Sequence, residues 1–220
     1  MAVKAVIFDV GGVILTSPFE AFARYERDNG LPEGFLRRLN ATDPDTNAWA
    51  RLERSEVSPA EFAELYAAEA RSAGSEVDGL AVLALLAGEA RPPMVEALRR
   101  CHERLRTALL TNNFVPGSTG GTGPAGGRSR PAGTGGALEG LLDHVDVLVE
   151  SSAVGIRKPD PAIYELVCGE LGVDPSEAAF LDDLGVNLKP ARALGMTTIK
   201  VVDPDVAIAE LEQVVGFPLR

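Results

Sequence analysis

The chain has 220 residues, enough for one domain of ordinary size or for a core with a smaller partner unit. Its 45% apolar content supports a real core, while a formal charge of −11 and an isoelectric point near 4.7 argue against binding nucleic-acid backbones or anionic membranes. The acidity does not exclude a small phosphorylated ligand, because a local cation can reverse the sign of one pocket.

Residues 4–9 read as a buried strand, a short β-branched run that ends in Asp9 and is followed by Gly11 and Gly12. The N-terminus enters this strand with no charged-then-apolar leader, so no secretory signal is expected and a cytoplasmic location is the default. From 17 to 88 helical patterns dominate, with charged faces and alanine-rich stripes, and a separate helical unit is expected there. Within it "SPAEFAELYAAEA" places Ser58 as an N-cap, Pro59 at the first helical position and Glu61 three residues after the cap. The longest apolar run, "LAVLALLA" at 80–87, is far too short to span a bilayer.

Strand and helix then alternate. "PMVEALRRCHERL" puts Met94, Leu98, Cys101 and Leu105 on one helical face. "TALLTNN" and "DVLVES" are strands, "DPAIYELVCGELG" is a helix capped by Asp160 and stopped by Gly172, and "AAFLDD" is a strand ending in two acids. A short helix to Gly195, the strand "TTIKVV" and a closing helix complete the chain. Repeated β-α units predict a parallel sheet covered by helices on both faces. One segment breaks the pattern: residues 117–136 are rich in Gly, Pro, Ser and Thr and read as a flexible surface insertion. It lacks the Gly-Lys-Ser/Thr ending of a phosphate-binding P-loop. Cys101 and Cys168 fall in amphipathic helices and are expected to be inert core thiols.

Ligands of an open parallel sheet bind beyond the carboxyl ends of its strands. There the chain gathers Asp9, Thr111, Asn112, Lys158, Asp182 and Asp183, with Asn187 one helical turn further on. Carboxylates Asp9 and Asp183 beside an amide suit a hard oxygen-liking cation such as Mg²⁺. A lysine and a hydroxyl nearby suit phosphate oxygens, and a carboxylate nucleophile could form an aspartyl phosphate. His102 and His144 lie away from this edge and read as structural or solvated.

"VIFDVGGVI", "LLTNN", "GIRKPDPAIY" and "FLDDLGVNLKPARALGMTTIKV" resemble, in order, the four motifs of the haloacid dehalogenase superfamily. The gap of about 100 residues between the first two resembles the subfamily with a helical cap inserted there. Within it the last motif is similar to the phosphatases like the N-terminal domain of epoxide hydrolase, and equally to the N-terminal domain of acyl-CoA dehydrogenase family member ten. The resemblance implies a Rossmann-like α/β core over 1–16 and 89–220, a helical cap over 17–88, and Mg²⁺ as cofactor. It implies Asp9 as nucleophile and metal ligand, a backbone carbonyl from Gly11 to the metal, and Asp183 as metal ligand. Gly11, Gly12, Thr111, Asn112 and Lys158 would meet the substrate, with Thr111 and Lys158 also serving catalysis. Asp182, a glycine in many relatives, and Asn187 would play supporting roles, Asp182 by orienting the lysine or a metal-bound water.

The phosphatases of this family usually carry a second aspartate two residues after the nucleophile, where this chain has Gly11. General acid–base help is worth about 10²–10⁴ in rate. Its loss points to a slow phosphatase, or one selective for anomeric, aryl or acyl phosphates, or one that borrows an acid from the cap. Two other readings stay open: a catalytically impaired phosphate-binding or regulatory module, and a haloacid dehalogenase. The partner expected is a small phosphorylated metabolite, with no nucleic acid and no membrane, bound by a monomer or homodimer. Thr16, Ser17, Phe19, Phe22 and Trp49 are candidates to line the substrate pocket, although aromatics at helical spacing are more often cap core.

Overall fold

The computed structural model of the protein describes residues 2–86, 88–113 and 140–220. The Gly-rich insertion read at 117–136 lies outside the described residues. Strand β1 (Ala5–Phe8) is followed by α1 (Phe19–Asp28), α2 (Phe35–Ala41), α3 (Ala48–Glu53), α4 (Pro59–Ser72) and α5 (Gly79–Ala84). Then come α6 (Pro92–His102), β2 (Arg106–Thr111), β3 (Val147–Glu150), α7 (Ser151–Val154) and α8 (Pro161–Leu171). Strand β4 (Ala178–Asp182), α9 (Gly185–Ala193), β5 (Thr197–Lys200) and α10 (Pro204–Val215) close the chain.

Among the described residues all the strand pairings are parallel, and the sheet order is β3-β2-β1-β4-β5. Strand β1 sits in the centre, at the point where the strand order reverses, so its carboxyl end opens into the crevice that ligands use in such sheets. Alternation along β1 divides its side chains between two cores. Val6 and Phe8 pack with Met94, Leu98 and Cys101 of α6 and with Ile208 and Leu211 of α10. Ala5 and Ile7 pack with Ile163, Tyr164 and Val167 of α8 and with Leu188 and Ala191 of α9. Both cysteines are buried, and burial pushes their thiols up, to about 12 for Cys101 and about 11 for Cys168. Leu105 departs from expectation: α6 ends at His102, and Leu105 packs on the same core from the turn into β2, its N–H donating to Cys101 O at 2.8 Å.

Helices α1 to α5 form a third cluster, in which Phe22, Leu36, Phe62, Tyr66 and Val82 are buried together. The capping box at Ser58 holds the start of α4: Ser58 Oγ accepts from Glu61 N at 3.2 Å while Glu61 Oε2 accepts from Ser58 N at 2.8 Å. Phe22 and Trp49 belong to this cluster, with ring centroids 6.3 Å apart, and Trp49 stacks edge-on to Phe62 at 5.5 Å. Phe22 is buried in this helical cluster and Trp49 packs against it. The chain enters and leaves the helical unit side by side: Thr16 N–H donates to Glu89 O and Arg91 N–H to Ile14 O, each at 2.8 Å. Thr16 Oγ1 also accepts from Glu89 N at 3.0 Å, so that candidate hydroxyl serves this neck. Ser17 Oγ lies 3.5 Å from Phe19 N at the start of α1. No helix among the described residues is long and apolar enough to cross a membrane.

Candidate active site

The three central strands deliver polar residues to one edge of the sheet. Asp9 follows β1, Thr111 ends β2 and Asp182 ends β4, with Asp183 next in sequence. Asp9 is anchored locally, its backbone N–H on Leu181 O at 2.9 Å and its Oδ1 accepting from Val10 N at 2.7 Å. His102 and His144 lie at the opposite edge, where His102 Nδ1 is 2.9 Å from Thr107 Oγ1 near the start of β2.

Lys158 is the centre of the cluster. It stands just before α8, whose N-cap Asp160 accepts from Ala162 N at 3.0 Å, and its side chain is buried to 1% exposure. Its Nζ lies 2.7 Å from Asp9 Oδ1 and 2.8 Å from Asp182 Oδ2, and it donates to Leu110 O at 3.0 Å. Those three acceptors match the three donors of an ammonium. Asp182 is fully buried and also takes Leu184 N at 2.8 Å and Asn187 Nδ2 at 3.0 and 3.1 Å. Asp182 thus pairs with the lysine and is itself held by Asn187, and its carboxylate has little capacity left.

The side chain of Asn112 is engaged within the protein. Its carboxamide pairs with the Lys158 main chain, Nδ2 donating to Lys158 O and Oδ1 accepting from Lys158 N, both at 2.9 Å. The neighbouring Asn113 is tied to the end of β3: its Nδ2 donates to Glu150, and its backbone N–H donates to Ser151 Oγ at 3.0 Å. Two charged residues absent from the sequence reading join this region. Glu53, at the end of α3, is buried and lies 2.6 Å from Arg157 Nε. Arg157 sits beside a motif lysine, so its neighbourhood was visible in sequence; Glu53 carried no signal and reads there as an ordinary helix-surface charge.

The two glycines differ. A Cβ on Gly11 would meet nothing within 4 Å, so the position opens into space. Gly12 has φ +79°, and a Cβ there would fall 2.3 Å from Asp183 Oδ2, so only glycine lets Asp183 pack against the loop.

A family model described as haloacid dehalogenase-like hydrolase matches residues 3–195. The chain belongs to the haloacid dehalogenase-like hydrolases. Its relatives include mouse acyl-CoA dehydrogenase family member 10, 36% identical over 99% of this chain and 20% of that protein. Pig bifunctional epoxide hydrolase 2 is 33% identical over 100% of this chain and 40% of that protein. The chain thus spans well under half the length of these two relatives. Phosphatase MT3486 of Mycobacterium tuberculosis is 32% identical over 89% of this chain and 86% of its own. Among solved structures, the HAD family enzyme bt-2542 of Bacteroides thetaiotaomicron, in complex with magnesium and inorganic phosphate, shares the fold. It aligns at a TM-score of 0.56 with 21% identity, over 90% of this chain and 94% of its own.

Three acids of the hydrolase converge at this edge of the sheet. One carboxylate oxygen from each of Asp9, Asp182 and Asp183 falls within 4.8 Å of the others, against a single bonded ammonium. Burial pushes Asp9 up to about 8, with Lys158 opposing and Asp182 and Asp183 adding to the rise. Burial, then Asp182, raises Asp183 to about 6. Burial pulls the Lys158 ammonium down, but Asp182 and Asp9 outweigh it and hold it above the ordinary lysine value. Negative charge is in excess, and a divalent cation would relieve it. Asp182 is engaged by Lys158, Asn187 and Leu184, so Asp9 and Asp183 are the carboxylates of this cluster with capacity left.

Proposed function

We propose that this hydrolase is a Mg²⁺-dependent phosphatase that acts on a small organophosphate through an aspartyl-phosphate intermediate on Asp9. The reading is carried by one observation, a buried lysine within 3 Å of both Asp9 and Asp182 at the carboxyl edge of the central strands. The phosphatase name of the mycobacterial relative and the magnesium and phosphate held by bt-2542 support it.

In the first step an Asp9 oxygen attacks phosphorus and the bond from phosphorus to the leaving oxygen breaks, the leaving oxygen keeping the electron pair. Lys158 favours the ionised form of Asp9 against the opposing effect of burial and sets its positive charge beside the phosphoryl group, and the Thr111 hydroxyl and the Asn112 backbone N–H would bind the phosphoryl oxygens. The Asn112 carboxamide instead keeps the Lys158 main chain in place. Mg²⁺, held by Asp9, Asp183 and the Gly11 carbonyl, would screen the nucleophile from the anionic substrate and stabilise charge on the phosphoryl oxygens. In the second step water attacks phosphorus, the bond to Asp9 breaks, inorganic phosphate leaves and the water proton passes to solvent.

Residue 11 offers no proton to the leaving oxygen. The substrates that suit the site are those whose leaving group needs none: aryl, anomeric and acyl phosphates. The same glycine favours a second reading, a phosphate-binding module with little turnover. Hydrolysis of p-nitrophenyl phosphate with and without Mg²⁺, beside Asp9→Asn, separates the two. Mg²⁺-dependent turnover that vanishes in Asp9→Asn is expected; turnover no higher than the variant's would favour the binding module.

A further inference from the structure

One buried carboxylate of the cap, Glu53, meets the side chains of Arg157 and Asn112, the two residues that adjoin the Lys158 main chain. Glu53 Oε2 lies 2.6 Å from Arg157 Nε, and Asn112 Nδ2 approaches the same oxygen at 3.4 Å. Trp49 Nε1 donates to Glu53 Oε1 at 3.0 Å and fixes the carboxylate's orientation within the cap. Arg157 is also tied to the cap by Nη1, which donates to Pro44 O at 2.6 Å. Arg157 precedes Lys158, and the Asn112 carboxamide brackets the Lys158 main chain with its two hydrogen bonds. The side chains of Glu53 and Arg157 are only 11% and 18% exposed, so water competes weakly for either charge while the cap is seated.

We propose that Glu53 is a positioning residue: closing on Arg157 and Asn112, it sets the main chain that aims Lys158 at Asp9, so the lysine is correctly placed only with the cap seated on the core. The cap thereby takes part in the chemical step without touching substrate. Another cap–core hydrogen bond, Ser55 Oγ to Ser152 O at 3.0 Å, does not touch Asn112, Arg157 or Lys158 and provides a control. The inference rests on the phosphatase reading for its kinetic readout only.

The test uses the full chain and the variants Glu53→Gln, Arg157→Gln, their double variant and Ser55→Ala. Turnover of p-nitrophenyl phosphate with Mg²⁺ is read beside hydrogen–deuterium exchange of peptides covering 106–113 and 151–164. Each single clasp variant should lower kcat about ten- to a hundredfold with little change in KM. The double variant should fall no further than the worse single one, and exchange should rise in those two segments but not in β5 and α10. Ser55→Ala should keep the parent kcat. An unchanged kcat in folded Glu53→Gln, additive losses in the double variant, or faster exchange across the whole sheet would overturn the proposal. Should Glu53→Gln not fold, Trp49→Phe, which removes one donor to Glu53 and keeps a ring in the cap core, is read the same way: an intermediate loss of kcat supports the proposal and no loss rejects it. A parent protein without Mg²⁺-dependent turnover would reject the phosphatase reading, while the exchange comparison would still decide the clasp.

Discussion

Asp183 fills the space in which residue 12 would otherwise carry a side chain. A Cβ on Gly12 would lie 2.3 Å from Asp183 Oδ2 and 2.5 Å from its carboxyl carbon, at a backbone φ of +79° that L-residues rarely adopt. Gly12→Ala therefore strains the loop and displaces a proposed metal ligand together. The expected result is a stability loss of about 1–3 kcal/mol and a Mg²⁺ requirement shifted to concentrations at least about tenfold higher. Calorimetric titration of Mg²⁺ and urea unfolding read the two effects separately; parent-like Mg²⁺ affinity would remove Asp183 from the metal site.

Gly11 behaves in the opposite way, because a Cβ there meets open space and its backbone is not in the left-handed region. Gly11→Asp should fold with little penalty. It should raise kcat/KM for alkyl phosphates by about 10²-fold and for aryl phosphates by much less. Equal gains for both classes would mean that protonation of the leaving group is not what position 11 controls.

Asp182 is fully buried and pairs with Lys158 Nζ at 2.8 Å, so its charge belongs to the lysine rather than to solvent. Asp182→Asn keeps the shape but leaves the lysine with Asp9 as its one remaining anionic partner. Breaking such a buried pair costs about 3–5 kcal/mol. We expect a lower urea midpoint and a strongly reduced kcat, with Asp9 drawn toward the ammonium. A variant as stable and active as the parent would show that Asp9 alone can hold Lys158.

Asp9, raised to about 8, and Asp183, raised to about 6, make stability depend on pH in a definite direction. Unfolded, both carboxyls release their protons near pH 4; folded, they retain them to higher pH. With a chelator present, their contribution to stability is greatest below pH 4 and is lost as pH rises, through about 6 for Asp183 and about 8 for Asp9. The slope is at most about 1.4 kcal/mol per pH unit for each group. Mg²⁺ binds the ionised acids, so it should stabilise the protein more at pH 8 than at pH 5 and should release protons on binding at pH 7. Equal stabilisation at the two pH values would contradict the assignment.

Features governed by neighbours a few residues away could be read before any coordinates. The apolar run into Asp9, the Ser58 capping box, the Asp160–Pro161 helix start and the Gly172 stop are local, each needing contacts only within its own turn. The order of the four motifs brought Asp9, Thr111, Lys158 and Asp183 to one sheet edge because parallel β-α units leave few other places for strand ends. Most of what the sequence left undecided is long-range. Asn112 faces a main chain 46 residues away, and Glu53 meets Asn112 across 59. Phe22 and Trp49 turn inward because five short helices must bury their own aromatic surface before they can offer any to a ligand. Side-chain direction at such positions depends on which element packs opposite, and periodicity along one segment holds no record of that.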